Sequence, residues 1–174
     1  VDFHQVIKRS RDVSSKMSNG IGFLFKKYKV EQVKGNASLK SANEIEVKDS
    51  QGNVTDVITT KNVIIATGAR PRMFPDIEVD RKNIITCKEA LILQKPPKSM
   101  VIMGAGAIGV EFAYFYNAFG TEVTIIEMMD RILPVEDEDV SKELERNYRK
   151  EKIKILTGTR VLSAKAVDGG EEVK

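Results

Sequence analysis

The stretch MVIMGAGAIGVEFAYFYNAFGTEVTIIE, from Met100 to Glu127, decides the fold. An apolar run leads into three glycines, an apolar helical run follows, and a second apolar run ends on a carboxylate. This order is typical of a βαβ unit that binds a dinucleotide. Such units normally open a chain, whereas this one begins past the midpoint of 174 residues. The residues before it therefore need an explanation of their own.

The glycine motif has the sequence context that the chemistry requires. GAGAIG, Gly104–Gly109, matches G-x-G-x-x-G, although small residues around turns also produce this pattern by chance. A strand is predicted before it (100–103) and a helix after it (107–119). The next predicted strand, 123–127, ends on Glu127 at about the ~20-residue interval that the motif requires.

Each glycine has a distinct expected role. Gly104 permits a tight turn, Gly106 leaves room for a pyrophosphate, and Gly109 lets the helix pack closely on the strand. The phosphates would then lie on free N–H groups at the positive end of the helix. The alternative is a glycine turn of an α/β sheet with no ligand.

Two carboxylates are candidate site residues. Glu127 can accept both ribose hydroxyls of NAD and would repel a 2′-phosphate, so NAD(H) or FAD is favoured over NADP. Arg131 lies four residues on, but no basic residue replaces the acid. Glu127 could instead be a solvated acid at a strand end. Glu111, in the first turns of an apolar helix, is either structural or close to the nucleotide.

In the rest of the chain, the spacing of the apolar residues changes near Tyr28. Apolar residues recur every three or four positions from Asp2 to Tyr28, which predicts an amphipathic helix. Short alternating strands follow, with a hairpin turn at SQGN, 50–53. Later elements are a helix at 86–93 capped by Thr86, a hinge at 95–98 and a helix after an acidic turn at 135–139. Strands are predicted at 30–33, 37–40, 45–48, 54–60, 63–66, 153–156 and 160–167, and the run at 63–66 is expected to be covered on both faces.

Composition excludes several classes of protein. The 28 basic and 25 acidic side chains are mixed along the chain, which does not favour a nucleic acid or a membrane surface as partner. One cysteine cannot form an internal disulfide or a cysteine metal cluster, and with one histidine no metal site is expected. A reducing cytoplasm is the expected location. The chain does not begin with Met, which suggests a fragment.

Two separated motifs together resemble one family. ATGARP, Ala66–Pro71, precedes the hinge, and GAGAIGVE, Gly104–Glu111, follows it. This pair is similar to that of the pyridine nucleotide–disulfide oxidoreductases, over essentially the whole chain. EVTIIEMMDRILPVEDEDVSKEL, Glu122–Leu144, is most similar to members that oxidise dihydrolipoamide.

The resemblance implies a fold and a domain organisation. The fold would be α/β, an FAD/NAD(P)-binding Rossmann-like three-layer fold with parts of two dinucleotide-binding domains. Residues 1–95 would be the second half of an FAD-binding domain, and residues 96–174 the first part of the NAD-binding domain. The resemblance also implies cofactor contacts, with Thr67, Gly68, Ala69 and Ala37 for FAD and Gly104, Ala105, Gly106, Ala107, Ile108, Gly109, Glu111, Glu127 and Val161 for NAD. Val161 could equally be an ordinary strand valine.

The implied activity cannot be complete on this chain. The family oxidises a dithiol and reduces NAD+ through a cysteine pair and FAD, with a His–Glu base. Cys87 is solitary and is interpreted as a buried structural thiol, and His4 as a solvated helix histidine. No catalytic residue is therefore expected here, and the chain is interpreted as an internal piece that is inactive alone.

The resemblance also implies partners and leaves alternatives open. The full-length protein would be a homodimer that serves 2-oxo acid dehydrogenase complexes and takes a disulfide substrate, either a small molecule or a lipoyl domain. Within the family, glutathione reductase is less favoured, while mercuric reductase and NADH oxidase stay open. Outside it, the alternative is a non-catalytic NAD(H)-binding regulatory module.

Overall fold

A computed structural model describes residues 2–167 and 170–174, and these residues form a mixed α/β structure. The α/β class predicted from the sequence is confirmed. The helices are α1 (Phe3–Lys27), α2 (Cys87–Ala90), α3 (Ala107–Ala118) and α4 (Glu138–Lys150). The strands are β1 (Asn36–Ser41), β2 (Glu44–Lys48), β3 (Val54–Thr59), β4 (Ser99–Met103), β5 (Glu122–Ile126), β6 (Lys154–Leu156), β7 (Ala164–Val167) and β8 (Gly170–Val173).

The chain divides into two compact units. One unit contains Val1–Arg11 and Pro71–Lys174, and the other contains Asp12–Arg70. The predicted hinge at 95–98 lies inside the first unit, where Thr121 Oγ1 donates to the Pro97 carbonyl at 2.8 Å. The assignment of residues 1–95 and 96–174 to parts of two nucleotide-binding domains stays a prediction.

The first unit contains the parallel sheet that the glycine motif predicts. β4 pairs with β5 in parallel, from Ser99 opposite Glu122 to Met103 opposite Ile126. β5 pairs with β6 in parallel, so the strand order is β4-β5-β6. α3 connects the first pair and α4 the second. The carboxyl ends of β4 and β5 therefore lie side by side, which places the glycine loop beside Glu127.

The core of this unit explains why the apolar runs fold as they do. One face of β5 is buried and carries Val123 and Ile125, and the opposite face is half-buried at Thr124 and Ile126. α3 buries Ala113 and Tyr116. Burial of such side chains is the main stabilising contribution of a βαβ unit. α4 is amphipathic; Asp137 caps its start by accepting the Asp139 N–H at 2.9 Å. Glu138 and Asp139 lie in its first turn and Arg149 and Lys150 in its last, which is favourable for the helix dipole.

The first helix matches its sequence prediction of Asp2 to Tyr28 within two residues. Phe3 and Ile7 are buried, whereas Met17 and Phe23 have exposed fractions of 67% and 65%. His4 is exposed on this helix, as predicted. Although α1 is 25 residues long, neither it nor another helix of the described residues is apolar enough to cross a bilayer.

The second unit contains an antiparallel meander with the order β1-β2-β3. The predicted turn after β2 is confirmed: Gly52 has a φ of +90°, and Asp49 Oδ1 accepts the Gln51 and Asn53 N–H groups at 2.8 and 2.9 Å. The side-chain hydrogen bond from Asn53, with the backbone donors, lowers the pKa of the Asp49 carboxyl. The alternating pattern therefore predicts these three strands correctly.

Three predicted strands are wrong in whole or part. Residues 30–33 and 63–66 form no strand, and of 160–167 only Ala164–Val167 does. Ile64 and Ile65 have exposed fractions of 91% and 70%, contrary to the prediction that 63–66 is covered on both faces. An apolar run becomes a strand only where neighbouring backbone accepts its hydrogen bonds. No strand of the described residues pairs with this segment.

The predicted helix at 86–93 is shorter in the structure but begins where expected. α2 ends at Ala90, and Thr86 is its N-cap with a complete capping box. Thr86 Oγ1 accepts the Lys88 N–H at 3.2 Å, and Glu89 Oε2 accepts the Thr86 N–H at 2.9 Å. These hydrogen bonds, led by that from the Thr86 hydroxyl, lower the pKa of the Glu89 carboxyl.

Replacing Thr86 with alanine should lower the free energy of unfolding by about 1 kcal/mol, the usual contribution of an N-cap. The loss arises because the cap acceptor and the hydroxyl that binds Glu89 disappear together. Chemical denaturation followed by circular dichroism measures the difference. Thr86→Ser keeps the hydroxyl and is the matched control. Equal losses in the two variants would contradict the capping assignment.

Candidate functional site

The glycine loop, Gly104–Gly109, joins the end of β4 to the start of α3. Gly104 has a φ of +99°, a conformation that residues with a Cβ rarely adopt. Its N–H donates to the Ile126 carbonyl at 2.8 Å, which holds the start of the loop beside the end of β5. Gly106 is the N-cap of α3 and supplies no side-chain cap. The helix start therefore offers backbone N–H groups and its positive dipole end to an anion.

The last two glycines meet different surroundings. A Cβ on Gly109 would lie 2.0 Å from the Gly104 carbonyl oxygen, so the helix and the loop approach each other as closely as backbone allows. A Cβ on Gly106 would meet no atom within 4 Å, so the space in front of it is open. This is the arrangement that the sequence predicts, with close packing at Gly109 and free approach at Gly106.

Glu127 lies immediately after β5, beside the glycine loop. Its side chain is buried, with an exposed fraction of 9%. Oε2 accepts the Ala105 N–H at 2.8 Å, and Oε1 accepts the Met129 N–H at 2.8 Å. The alternative of a solvated strand-end acid is therefore wrong. The carboxylate and the glycine motif meet at one site, as their spacing predicts.

A segment after Glu127 also holds the loop, which sequence reasoning missed. The Leu133 N–H donates to the Ala105 carbonyl at 2.8 Å, and Leu133 has a φ of +47°. Ile132 beside it is fully buried. The Glu127 backbone is held in turn by Leu156 and Thr159. Neither the left-handed turn at a leucine nor this contact has a local sequence signal.

Glu111 lies on α3 beside a cavity of about 440 Å³. It is exposed, and the cavity walls are mainly apolar, with Cys87 among them. Cys87 is half-buried rather than buried as predicted. Burial raises the pKa of the nearby Tyr148 phenol, and the negative charge of Glu111 adds to this increase. A carboxylate in this position can interact with a polar or cationic group that enters the cavity.

The other predicted site residues lie outside the glycine loop. Thr67, Gly68 and Ala69 are exposed, without regular secondary structure, and Gly68 has a φ of +75°. They belong to the unit Asp12–Arg70, as does the exposed Ala37 on β1. Val161 is half-buried and precedes β7, so it is not a strand residue. It follows Thr159, whose N–H donates to the Glu127 carbonyl at 2.9 Å.

The parallel βαβ unit, the glycine loop and the acid after the second strand define an α/β protein of the dinucleotide-binding class. The chain belongs to the pyridine nucleotide-disulphide oxidoreductase family, whose sequence model matches residues 2–174.

Curated relatives include proteins named dihydrolipoyl dehydrogenase. The protein from Chlorobaculum parvum is 45% identical over 160 residues, which cover 92% of this chain and 34% of the relative. That from Bacillus subtilis is 40% identical over 169 residues, covering 93% of this chain and 36% of the relative. The chain therefore spans about a third of the length of these relatives.

Solved structures share the fold. A crystal structure of LpdA from Mycobacterium tuberculosis matches with a TM-score of 0.89 at 24% identity, over 99% of this chain and 39% of that one. A Cu(II) complex of the flavoprotein disulfide reductase RclA from Escherichia coli matches with a TM-score of 0.85 at 24% identity, covering 100% and 40%. At this identity the likeness establishes the fold alone.

Proposed function

We propose that this chain is part of a dihydrolipoyl dehydrogenase, which oxidises dihydrolipoamide and reduces NAD+ by means of FAD and a cysteine pair outside the chain. Relatives with this name are 40–45% identical over at least 92% of the chain. The observation that carries the proposal is the open helix start at Gly106 with the Glu127 carboxylate beside it. This combination fits a dinucleotide whose ribose hydroxyls are free.

The glycine loop fits the pyrophosphate of NAD. No atom lies within 4 Å of a Cβ built on Gly106, so the phosphates can reach the backbone there. The uncapped start of α3 supplies N–H donors and a positive dipole end. Glu127 would accept ribose hydroxyls, since a carboxylate offers about four acceptor positions and two are used by Ala105 and Met129.

The segment around Gly68 would bind a flavin nucleotide mainly through its backbone. Thr67 and Ala69 flank a glycine of positive φ and are exposed, so their backbone can approach a ligand closely. Ala37 would contact the adenine end through its backbone. Bound FAD supplies the hydride and electron transfer of the reaction, and this segment would bind and orient it.

Glu111 and Val161 complete the proposed cofactor contacts. The Glu111 carboxylate on the apolar cavity would lie near the nicotinamide and the flavin, where it can orient a ring that becomes cationic on oxidation. Val161 would line the adenine pocket, since its segment is held next to Glu127 by the Thr159 amide. The domain assignment, residues 1–95 for FAD and 96–174 for NAD, is part of the same proposal.

The proposal extends to the assembly and the location of the whole protein. We place it in the cytoplasm as a homodimer that serves 2-oxo acid dehydrogenase complexes. The single cysteine of the chain suits a reducing compartment. Exposed apolar side chains of the unit Asp12–Arg70, such as Met17 and Phe23, suit burial against further protein.

The test uses the full-length protein that contains this chain. The purified protein should carry a flavin absorbance spectrum and form NADH when dihydrolipoamide and NAD+ are added together. Oxidation of NADH by mercuric ion or dioxygen, without turnover of the dithiol, would instead assign it to another branch of the family. Binding of NADH without flavin or turnover would identify a regulatory module and overturn the proposal.

The native protein should bind NADH at least about tenfold more tightly than NADPH. The 2′-phosphate of NADPH would approach the buried Glu127 carboxylate, and like charges in contact cost at least ~1.4 kcal/mol, a factor of ten. Quenching of intrinsic tyrosine fluorescence or calorimetry gives both dissociation constants at the same ionic strength. Equal affinities would contradict the discriminating role of Glu127.

A further inference from the structure

The hydrogen bonds of Glu127 exceed what ribose binding requires. An acid that only accepts ribose hydroxyls could be exposed at the sheet edge and free of protein partners. Glu127 instead is buried, and each of its oxygens accepts a backbone N–H at 2.8 Å. Hydrogen bonds to a carboxylate are roughly twice as strong as neutral ones. These two bonds therefore attach the Glu127 side chain to the glycine loop at Ala105 and to the segment after β5 at Met129.

One of the two bonds ends in the middle of the glycine loop. Ala105 separates Gly104 from Gly106, and its side chain is fully buried. Its N–H is bound by Glu127 Oε2, and its carbonyl is bound by the Leu133 N–H at 2.8 Å. Both backbone hydrogen-bonding groups of this residue are thus fixed from the segment that follows β5. The two adjacent glycines, by contrast, have no side chain that could restrict the loop.

We propose that Glu127 is a positioning residue for the glycine loop, and that it fixes the loop through the Ala105 amide before a nucleotide binds. This inference rests on the proposed function, because it takes Gly104–Gly109 as the pyrophosphate site. Glycine-rich backbone loses much conformational entropy when it becomes ordered. Because the Glu127 bond orders the loop when the protein folds, less conformational entropy is lost when the nucleotide binds, and the affinity for the pyrophosphate is higher.

The inference predicts that Glu127 affects the affinity even for a nucleotide that has no ribose hydroxyls for it to bind. ADP has a diphosphate and both ribose hydroxyls, whereas 2′,3′-dideoxy-ADP has the diphosphate but lacks both hydroxyls. If Glu127 contacts only the ribose, its removal leaves the affinity for the dideoxy nucleotide unchanged. If it also positions the loop, its removal weakens both nucleotides, and ADP more strongly.

The experiment compares native protein and Glu127→Ala, both flavin-loaded and full-length, by calorimetric titration with each nucleotide. Loss of one hydrogen bond is commonly worth a factor of about ten. We expect Glu127→Ala to weaken 2′,3′-dideoxy-ADP about tenfold and ADP about a hundredfold. Glu122→Ala, at an exposed glutamate that begins β5, is the matched control and should change neither constant.

A second readout distinguishes local positioning from a general loss of stability. Amide hydrogen exchange at Ala105 and Met129 should accelerate about tenfold in Glu127→Ala, because their acceptor is gone. Exchange at Ile125, inside β5, should stay as in the native protein. Acceleration at Ile125 as well would indicate global destabilisation and would contradict the positioning role.

The outcomes separate this inference from the proposed function. Unchanged binding of the dideoxy nucleotide with weakened ADP would overturn the positioning role and leave the NAD site intact. Absence of ADP binding to the native protein would overturn the proposed function itself. Should Glu127→Ala not fold, Glu127→Leu carries the same comparison, because it fills more of the buried volume and still removes the acceptors of both N–H groups.

Discussion

Replacing Gly109 with alanine should lower the free energy of unfolding by about 2–3 kcal/mol, which corresponds to a roughly 4–12 °C lower Tm. The new Cβ would lie 2.0 Å from the Gly104 carbonyl oxygen and 3.1 Å from the Gly104 carbonyl carbon. Both are backbone atoms of Gly104, so no side-chain rotation relieves the overlap. Either α3 or the glycine loop must move, and the latter would also weaken nucleotide binding.

Two glycine variants serve as controls because they meet open space. Gly20→Ala, inside α1, meets no atom within 4 Å and should raise stability by about 0.5–1 kcal/mol through helix propensity alone. Gly106→Ala also meets no atom and should leave unfolding nearly unchanged, yet its Cβ would occupy the approach of the pyrophosphate. Denaturation and NADH titration of the three variants test the assignment. A Gly109→Ala protein as stable as Gly20→Ala would contradict the close contact.

The βαβ unit is predictable because its determinants are local. Strand, glycines, helix and acid follow one another within Met100–Glu127, and each has a spacing that physical requirements fix. Thr86 is equally readable, because an N-cap and its Glu89 partner are three residues apart. In both cases the residues that interact are near neighbours in sequence, so their types and spacing suffice.

The features that sequence reasoning missed depend on distant or conformational information. The exposed run at Ile64 is as apolar as β5, and only the presence of paired neighbours distinguishes a strand from an extended segment. The hydrogen bond between Leu133 and Ala105 joins residues far apart in the chain. It also requires Leu133 to adopt a left-handed backbone conformation, which is unfavourable for leucine. For Glu127, the spacing predicts the position of the carboxylate but not its two backbone partners.

Replacing Tyr116 with alanine should have the largest effect on stability, about 3–5 kcal/mol, as expected for a fully buried aromatic side chain. The ring lies 5.2 Å from that of Phe115 in an edge-to-face arrangement and 6.2 Å from that of Phe112. It also packs 6.1 Å from the Phe3 ring, which connects α1 to α3 within the first unit. Removal of the ring therefore leaves a cavity at the centre of an aromatic cluster that cannot collapse without moving two helices.

Tyr116→Phe isolates the contribution of the hydroxyl. The phenol donates to the Ala90 carbonyl at 2.6 Å, which joins α3 to the end of α2. Loss of this donor leaves a buried carbonyl without its partner and should cost about 1–2 kcal/mol. Tyr114→Phe on the same helix is the control, since Tyr114 is 58% exposed and should change stability by less than about 0.5 kcal/mol. Equal effects of the two substitutions would show that the Ala90 bond contributes nothing.

The pH dependence of unfolding tests the burial of the same hydroxyl independently. Burial raises the pKa of the Tyr116 phenol from 10.0 to about 12, since the phenolate would lose its solvation in the core. The folded state thus retains a proton that the unfolded state has already released between these values, so the stabilisation is complete below pH 10 and declines as pH rises towards 12. Tyr116→Phe has no such proton, and the difference in stability between the native protein and this variant should therefore shrink across that interval. A difference that stays constant would mean that the phenol ionises as easily in the folded state as in water, which a fully buried donor to Ala90 cannot do.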